Sequence, residues 1–191
     1  MLDLSLPPDE VAPALLGAVL RHGPVAVRLT EVEAYDGVDD PASHAARGRT
    51  PRNAVMFGPP GRLYVYFSYG MHWAANLVCR AEGQAAGVLL RAGEVVDGLE
   101  LARSRRGRAT DRDLARGPGR LTQALAIDSG QLGRDVFDGG DLTLTPGVGP
   151  EPPIECGPRV GVSLAADRPW RFWVAGDAYV SDYRRSPRAP R

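Results

Sequence analysis

The chain of 191 residues carries 23 basic and 23 acidic side chains, so its formal net charge is zero and the total alone gives no pull toward a polyanion. A chain of this length fits one domain, or at most two small ones, and buries roughly 70% of its unfolded surface without covalent staples. It has no apolar run of about 18 residues, its two cysteines (Cys79 and Cys156) form no metal-type pair, and its three histidines (His22, His44 and His72) are scattered, so neither a membrane span nor a metal or other cofactor is expected.

In chain order, "LPPDEVAPALLGAVLRHG" reads as one helix, with Pro8, Asp9 and Glu10 in its first turn and Gly23 as its stop. "VAVRLTEVEAY" follows as a strand with Val25, Val27 and Leu29 in phase. Pro41 to Pro60 is a long irregular segment, of a length that is usually functional in a compact domain. Strands fit Leu63 to Ser68 and about Trp73 to Cys79, with Gly70 supporting a hairpin between them. Another strand fits Gly87 to Arg91, helices fit about Asp97 to Arg105 and Leu121 to Ile127, and strands fit Leu142 to Thr145 and Phe172 to Val174. "TPGVGPEPPIECGP" reads as a loop full of breakers inside one domain, and the tail from about Arg184 as a frayed end. Strands and helices do not alternate, which predicts a single mixed α+β domain over residues 1–191 with a largely antiparallel sheet.

Charge is segregated along this order. Residues 1–50 hold eight Asp/Glu against four Arg, whereas 101–120 hold seven Arg against Asp111 and Asp113. That pattern fits either one basic face or a solvated basic loop. Every basic side chain is arginine, with no lysine anywhere, so no side-chain amine is present to form a Schiff base.

Several residues are candidates for chemistry. If the first long strand stays regular, Glu31 and Glu33 fall on the buried face with Val25, Val27 and Leu29, where a desolvated carboxylate suits a general base. If the strand ends or bulges near Thr30, both acids are solvated instead. Arg91 closes the apolar "GVLLR" and needs a carboxylate partner from a neighbouring strand, for a structural or a catalytic purpose. His44 in the long segment is either an exposed loop residue or part of a site. "RGPGRL", Arg116 to Leu121, presents free backbone N–H groups to an anion or simply caps a helix. In "RLYVYFSYGMHWAANLV", alternation sets Leu63, Val65 and Phe67 on one face and Tyr64 and Tyr66 on the other. The first set reads as core, while Tyr64 and Trp73 read as packing.

Taken together, "EVEAYDGVDDPASHAARGRTPRN", "LYVYFSYGMHWAANLV", "GVLLRAGEVVDG", "RGPGRLTQALAI", "PRVGV" and "RPWRFWV" resemble, in order over about residues 10–175, the alkyladenine (3-methyladenine) DNA glycosylase family of the mammalian type. The resemblance implies a curved, largely antiparallel sheet with a protruding β-hairpin and surrounding helices, similar to the C-terminal domain of a formyltransferase. It implies a monofunctional enzyme that flips damaged purines of the 3-methyladenine, 7-methylguanine, hypoxanthine and ethenoadenine class out of double-stranded DNA and hydrolyses the N-glycosidic bond. The product would be an abasic site without strand cleavage. No cofactor, membrane or obligate protein partner is implied, and a cytoplasmic monomer, nucleoid-associated if bacterial, is expected.

Carried over by motif, Glu33 would be the base that activates water, with Arg91 and the backbone carbonyl of Val162 holding that water. Tyr35, His44, Tyr66 and Asn76 would form the base pocket, with Asn76 disfavouring the guanine amino group. Tyr69 would fill the space left by the flipped nucleotide, and Met56, Met71, His72, Arg49 and Arg120 would contact DNA. The segment between His44 and Thr50 is one residue shorter than the family pattern, which bears on Arg47 and Arg49. The competing reading is a non-catalytic nucleic-acid-binding module on the same scaffold, which would need phosphate contacts but no water-activating carboxylate. A hydrolase of free nucleosides is disfavoured by the hairpin tyrosine and the segregated arginines.

Overall fold

A computed structural model describes residues 2–68, 70–149 and 151–190. The chain begins with a short helix, α1 (Pro8–Ala14), and two strands, β1 (Val19–His22) and β2 (Val25–Tyr35). The long segment then leads to a hairpin, β3 (Leu63–Ser68) and β4 (His72–Val78), and to β5 (Gly87–Asp97). Helices α2 (Leu99–Arg106) and α3 (Pro118–Leu125) precede β6 (Leu142–Thr145), β7 (Ile154–Gly157) and β8 (Arg171–Val174). The eight strands form one sheet in the order β3-β4-β5-β2-β1-β6, with β8 joined to β2 and β7 to β8, and every pairing is antiparallel. The sheet curls into a half-barrel, the mixed α+β architecture expected from the sequence.

Several sequence assignments change, among them β5, which runs on past Arg91 to Asp97. The first helix ends at Ala14 instead of continuing to Gly23: Gly17 takes a left-handed φ of 84° and its N–H donates to the Leu29 carbonyl at 2.8 Å, turning the chain into β1. The apolar run beyond it serves a strand as well as it would a helix, and sheet pairing decides. The breaker-rich loop contains β7, whose residues 154–157 pair with β8 in spite of the surrounding prolines.

Alternation holds along the hairpin. Leu63, Val65, Ala75 and Leu77 join the main core, where burying a leucine contributes about 2 kcal/mol. Tyr64 pairs with Asn76 and Tyr66 with Ala74 on the other face. Phe67 departs from the core face assigned to it: it is 46% exposed, because β3 has run beyond the core by then, and its ring rests 4.9 Å from Trp73.

β2 decides where the acids go. Leu29 pairs with Gly93 and Glu31 with Ala92, so Thr30 is an extra residue on β2; Glu31 to Val32 then spans Ala92 to Leu90, so Arg91 is an extra residue on β5. These two bulges offset each other, and the first switches the core phase of β2 from Val25, Val27 and Leu29 to Val32 and Ala34. Glu31 and Glu33 therefore face away from the main core. The strand does bulge at Thr30, yet neither acid is solvated: both have zero exposure. Here β1 has left the free edge of β2 and β8 has taken its place, with Glu31 opposite Trp173 and Glu33 opposite Arg171. Gly93 allows the close crossing, since a Cβ there would sit 2.3 Å from the Arg28 carbonyl oxygen.

Candidate active site

The face that β2 turns away from the core opens on a cavity of about 470 Å³, within the size range of small-molecule sites, about 300–1,000 Å³. Its back wall comes from β2 and β5, and one side from the tyrosine face of the hairpin. The long segment, the loop after β7 and Pro118 at the start of α3 supply the rest.

Glu33 is held from three directions. The Tyr35 hydroxyl donates to Oε2 at 2.8 Å, the Val160 N–H donates to Oε1 at 2.7 Å, and Arg91 Nη1 approaches Oε1 at 3.5 Å. Burial, and then the Glu33 carboxylate, push the Tyr35 phenol well above its ordinary pKa of 10, so it remains a donor. Arg91 is also buried; burial works against its charge, but Glu33 and then Glu31 outweigh that effect and raise its pKa. Its Nε donates to Glu31 Oε1 at 2.9 Å. Arg91 thus serves both as an ion-pair partner inside the sheet and as part of the cavity wall.

The opposite wall is aromatic. His44 and Tyr66 meet edge to face with centroids 4.4 Å apart, Tyr64 stacks on Tyr66 at 5.6 Å, and His44 Nδ1 and the Tyr64 hydroxyl share a hydrogen bond of 3.1 Å. Desolvation, and then the positive charge of Arg52, hold the His44 imidazole below its usual pKa of 6.5, which favours the neutral ring. Asn76 Nδ2 donates to the Tyr64 carbonyl at 3.1 Å, fixing the amide at the cavity wall. Together these groups offer a slot with a buried carboxylate, the guanidiniums of Arg91 and Arg52, and π-faces, suited to a flat heteroaromatic group carrying a bond to be hydrolysed.

Glu33, Arg91, Val162, Tyr35, His44, Tyr66 and Asn76 all line this one cavity. Met56 also reaches it, from a second small cluster with Ala45, Tyr64, Val78 and Ala85. His72 lies between it and a neighbouring depression shared with Arg106, Arg120 and the Gly117–Gly119 turn. Met71, 73% exposed, is at the hairpin tip, and Arg49 is exposed and outside the cavity lining. Arg120 Nη1 donates to Asp113 at 2.7 Å. Tyr69 lies outside the described residues.

The basic stretch is spent largely within the molecule. Arg103 pairs with Asp111, Arg112 and Arg116 donate to the carbonyls of Ala178 and Val180, Arg105 to that of Ala124, and Arg106 to that of Leu114. Arg108, Arg112 and Arg120 of this stretch nevertheless stay exposed.

Sequence reasoning missed three contributors. Tyr64, assigned to packing, lines the cavity and engages His44; its shared parity with Tyr66 was the available signal. Arg52 also lines the cavity, in the same "TPRN" motif that marked the segment. The Val160 amide is a backbone donor, and no residue type announces one.

The match to known proteins is consistent with this geometry. The family model described as methylpurine-DNA glycosylase matches residues 3–178. A relative from Frankia casuarinae is 56% identical over 192 residues, covering 95% of this chain and 90% of the relative. One from Nocardia farcinica is 56% identical over 196 residues, covering 98% and 92%. One from Streptomyces avermitilis is 55% identical over 193 residues, covering 95% and 90%. All three are provisionally named 3-methyladenine DNA glycosylases. With nine-tenths of its length matched by one family model and these identities end to end, the chain belongs to the methylpurine-DNA glycosylase family.

Proposed function

We propose that the protein removes alkylated or deaminated purines from double-stranded DNA by hydrolysing the N-glycosidic bond, with Glu33 as the base that activates water. The observation that carries this reading is Glu33 itself: a fully buried carboxylate, fixed by the Tyr35 hydroxyl and the Val160 amide beside Arg91, at the wall of an aromatic slot. A binding module has no use for such a group, and a buried charge is costly to keep.

A glycosidic bond inside a stacked duplex is out of reach, so the nucleotide is flipped into the slot. Stacking on the Tyr66 and His44 side contributes about 1–3 kcal/mol, comparable with the few kcal/mol of unstacking, which favours bases that are already poorly paired. Glu33 takes a proton from water as its oxygen bonds to C1′; the C1′–N bond breaks and its electron pair leaves with the base. A cationic alkylated purine departs as a neutral molecule, whereas hypoxanthine needs a proton supplied. Glu33 also stabilises the positive charge that develops on the sugar. The Arg91 guanidinium and the Val162 carbonyl orient the water, and Asn76 disfavours guanine. Tyr69, which follows β3 in sequence, is the wedge that fills the vacated stack.

The test is a duplex with a single 3-methyladenine or hypoxanthine. The expected result is base release with strand breakage only after alkali treatment, since no lysine is present to form a Schiff base. Glu33→Gln should bind the duplex and release no base. An intact lesion with both proteins, under conditions where both bind, would remove the enzymatic reading.

A further inference from the structure

Glu31 is a second buried carboxylate beside the first, and the hydrolytic step makes no use of it. It has zero exposure and lies two residues before Glu33 in β2. Its Oε1 accepts from Arg91 Nε at 2.9 Å and from Arg171 Nε at 2.7 Å, and its Oε2 accepts from the Ser181 N–H at 2.7 Å. Arg171 Nη2 donates to the Ser181 carbonyl at 2.9 Å, and Arg91 Nη2 donates to the Ser181 hydroxyl at 3.3 Å. The segment after β8 thus closes over a buried pair of carboxylates and a buried pair of guanidiniums.

Arg91 is divided unequally between the acids. Toward Glu31 it makes a hydrogen bond of 2.9 Å; toward Glu33 it makes only a looser ionic approach of 3.5 Å. An unopposed guanidinium this close to a buried carboxylate would close to a short paired contact, since charge-assisted N–H···O bonds settle at about 2.7–2.9 Å. That collapse would bury the lone pair with which Glu33 must take a proton, and would remove from the cavity the N–H group that faces it. Resting on the function proposed above, we propose that Glu31 is a positioning residue that holds Arg91 off the catalytic carboxylate, with Arg171 and the Ser181 amide satisfying the rest of Glu31. The bulge that makes Arg91 an extra residue on β5 serves the same arrangement, because it lets the arginine project toward the strand that carries both acids.

The test separates orientation from folding and from binding. Glu31→Gln keeps the shape and removes the charge that draws Arg91 away. Its melting curve and its Kd for a lesion duplex are measured beside its single-turnover excision rate. We expect Kd within about twofold of the parent and a rate lower by about 100-fold, the loss that a displacement of ~1 Å can cause. If Glu31→Gln does not fold, Arg171→Gln takes its place: it leaves Glu31 with Arg91 as its one side-chain cation, draws the arginine further from Glu33 and so takes its N–H away from the cavity. The rate should fall with Kd retained, and Arg171→Lys should regain part of it. A folded variant of either kind with the parental rate overturns the proposal, as does a rate loss matched by an equal loss of binding. An active parent with inactive Glu33→Gln and fully active Glu31→Gln defeats this inference alone; an inactive parent defeats the function on which it rests.

Discussion

Asp40 and Arg159 form an ion pair in which neither side chain has any exposure, and Asp40→Asn tests how much of the site depends on it. Arg159 Nη1 and Nη2 both donate to Asp40, and Nη1 also donates to the Ala34 carbonyl at 3.0 Å. Its guanidinium lies 4.6 Å from the centre of the Tyr35 ring and 5.3 Å from that of Trp170, and its Nε has no hydrogen-bond partner among the described residues. Removing one member of a buried pair costs about 3–5 kcal/mol because the other charge is stranded. With a urea slope of about 2 kcal/mol per M, the midpoint should fall by roughly 1.5–2.5 M. Excision should fall too, since Arg159 fixes the backbone from which the Val160 N–H reaches Glu33 and packs on the Tyr35 ring that carries the other donor. Asp40→Leu combined with Arg159→Met should recover much of the stability, as apolar replacement of both partners often does, but not the activity. A midpoint shift under about 0.5 M for Asp40→Asn would refute the reasoning.

The other predictions concern charge, thiols and the hairpin. Burial pushes the Glu31 carboxyl up, but Arg91 and then Arg171 pull it down further, leaving it below its ordinary 4.5. Its stabilising contribution is therefore complete above about pH 4.5 and is lost as pH falls through the depressed folded value. Urea midpoints measured from pH 7 down to pH 3 should drop less steeply below pH 4.5 in Glu31→Gln than in the parent. Cys79 is buried and its thiol is pushed up to about 12, whereas Cys156 is exposed. A thiol reagent at pH 8 should label one cysteine in the native protein and two in urea, and rapid labelling of both in the native state would contradict this burial. Tyr69→Ala should weaken binding to a damaged duplex and slow excision, checked by anisotropy and single-turnover assays, with unchanged values for both removing the wedge role.

Much of the fold was legible because alternation is local. β2, β3 and β6 have the bounds that their patterns give, and the tyrosine face of β3 does open on a cavity. The errors lie where distant pairing overrules local pattern. Val19 to His22 continues an apolar helical pattern, but it pairs with β2 on one side and β6 on the other, and those contacts exist only after strands far along the chain have arrived. Glu31 and Glu33 show the same limit. The pattern offers burial on a regular strand or solvation after a bulge at Thr30, and neither alternative holds whole: the bulge is there, it reverses their face, and β8 covers the edge and buries both acids. Period counting carries no information about either feature. The candidate site came chiefly from the family pattern. What that pattern did not supply is its support: a backbone amide at Val160, and the guanidiniums of Arg159 and Arg171, which look like surface charge in a sequence row.

The absence of lysine bears on this support. A lysine ammonium is a compact point charge, whereas a guanidinium is a rigid fork that holds two or three acceptors in fixed relative positions. Three arginines use that fork in the same way. Arg171 links Glu31 to the Ser181 carbonyl, Arg159 links Asp40 to the Ala34 carbonyl, and Arg116 links Asp182 to the Val180 carbonyl. In all three, one arm takes a carboxylate and another takes a main-chain oxygen, so each cation neutralises a charge and pins a segment of backbone. Lysine at these positions keeps the first function and loses the second. This is why Arg171→Lys is expected to regain only part of the excision rate: the charge facing Glu31 returns, while the hold on Ser181 does not.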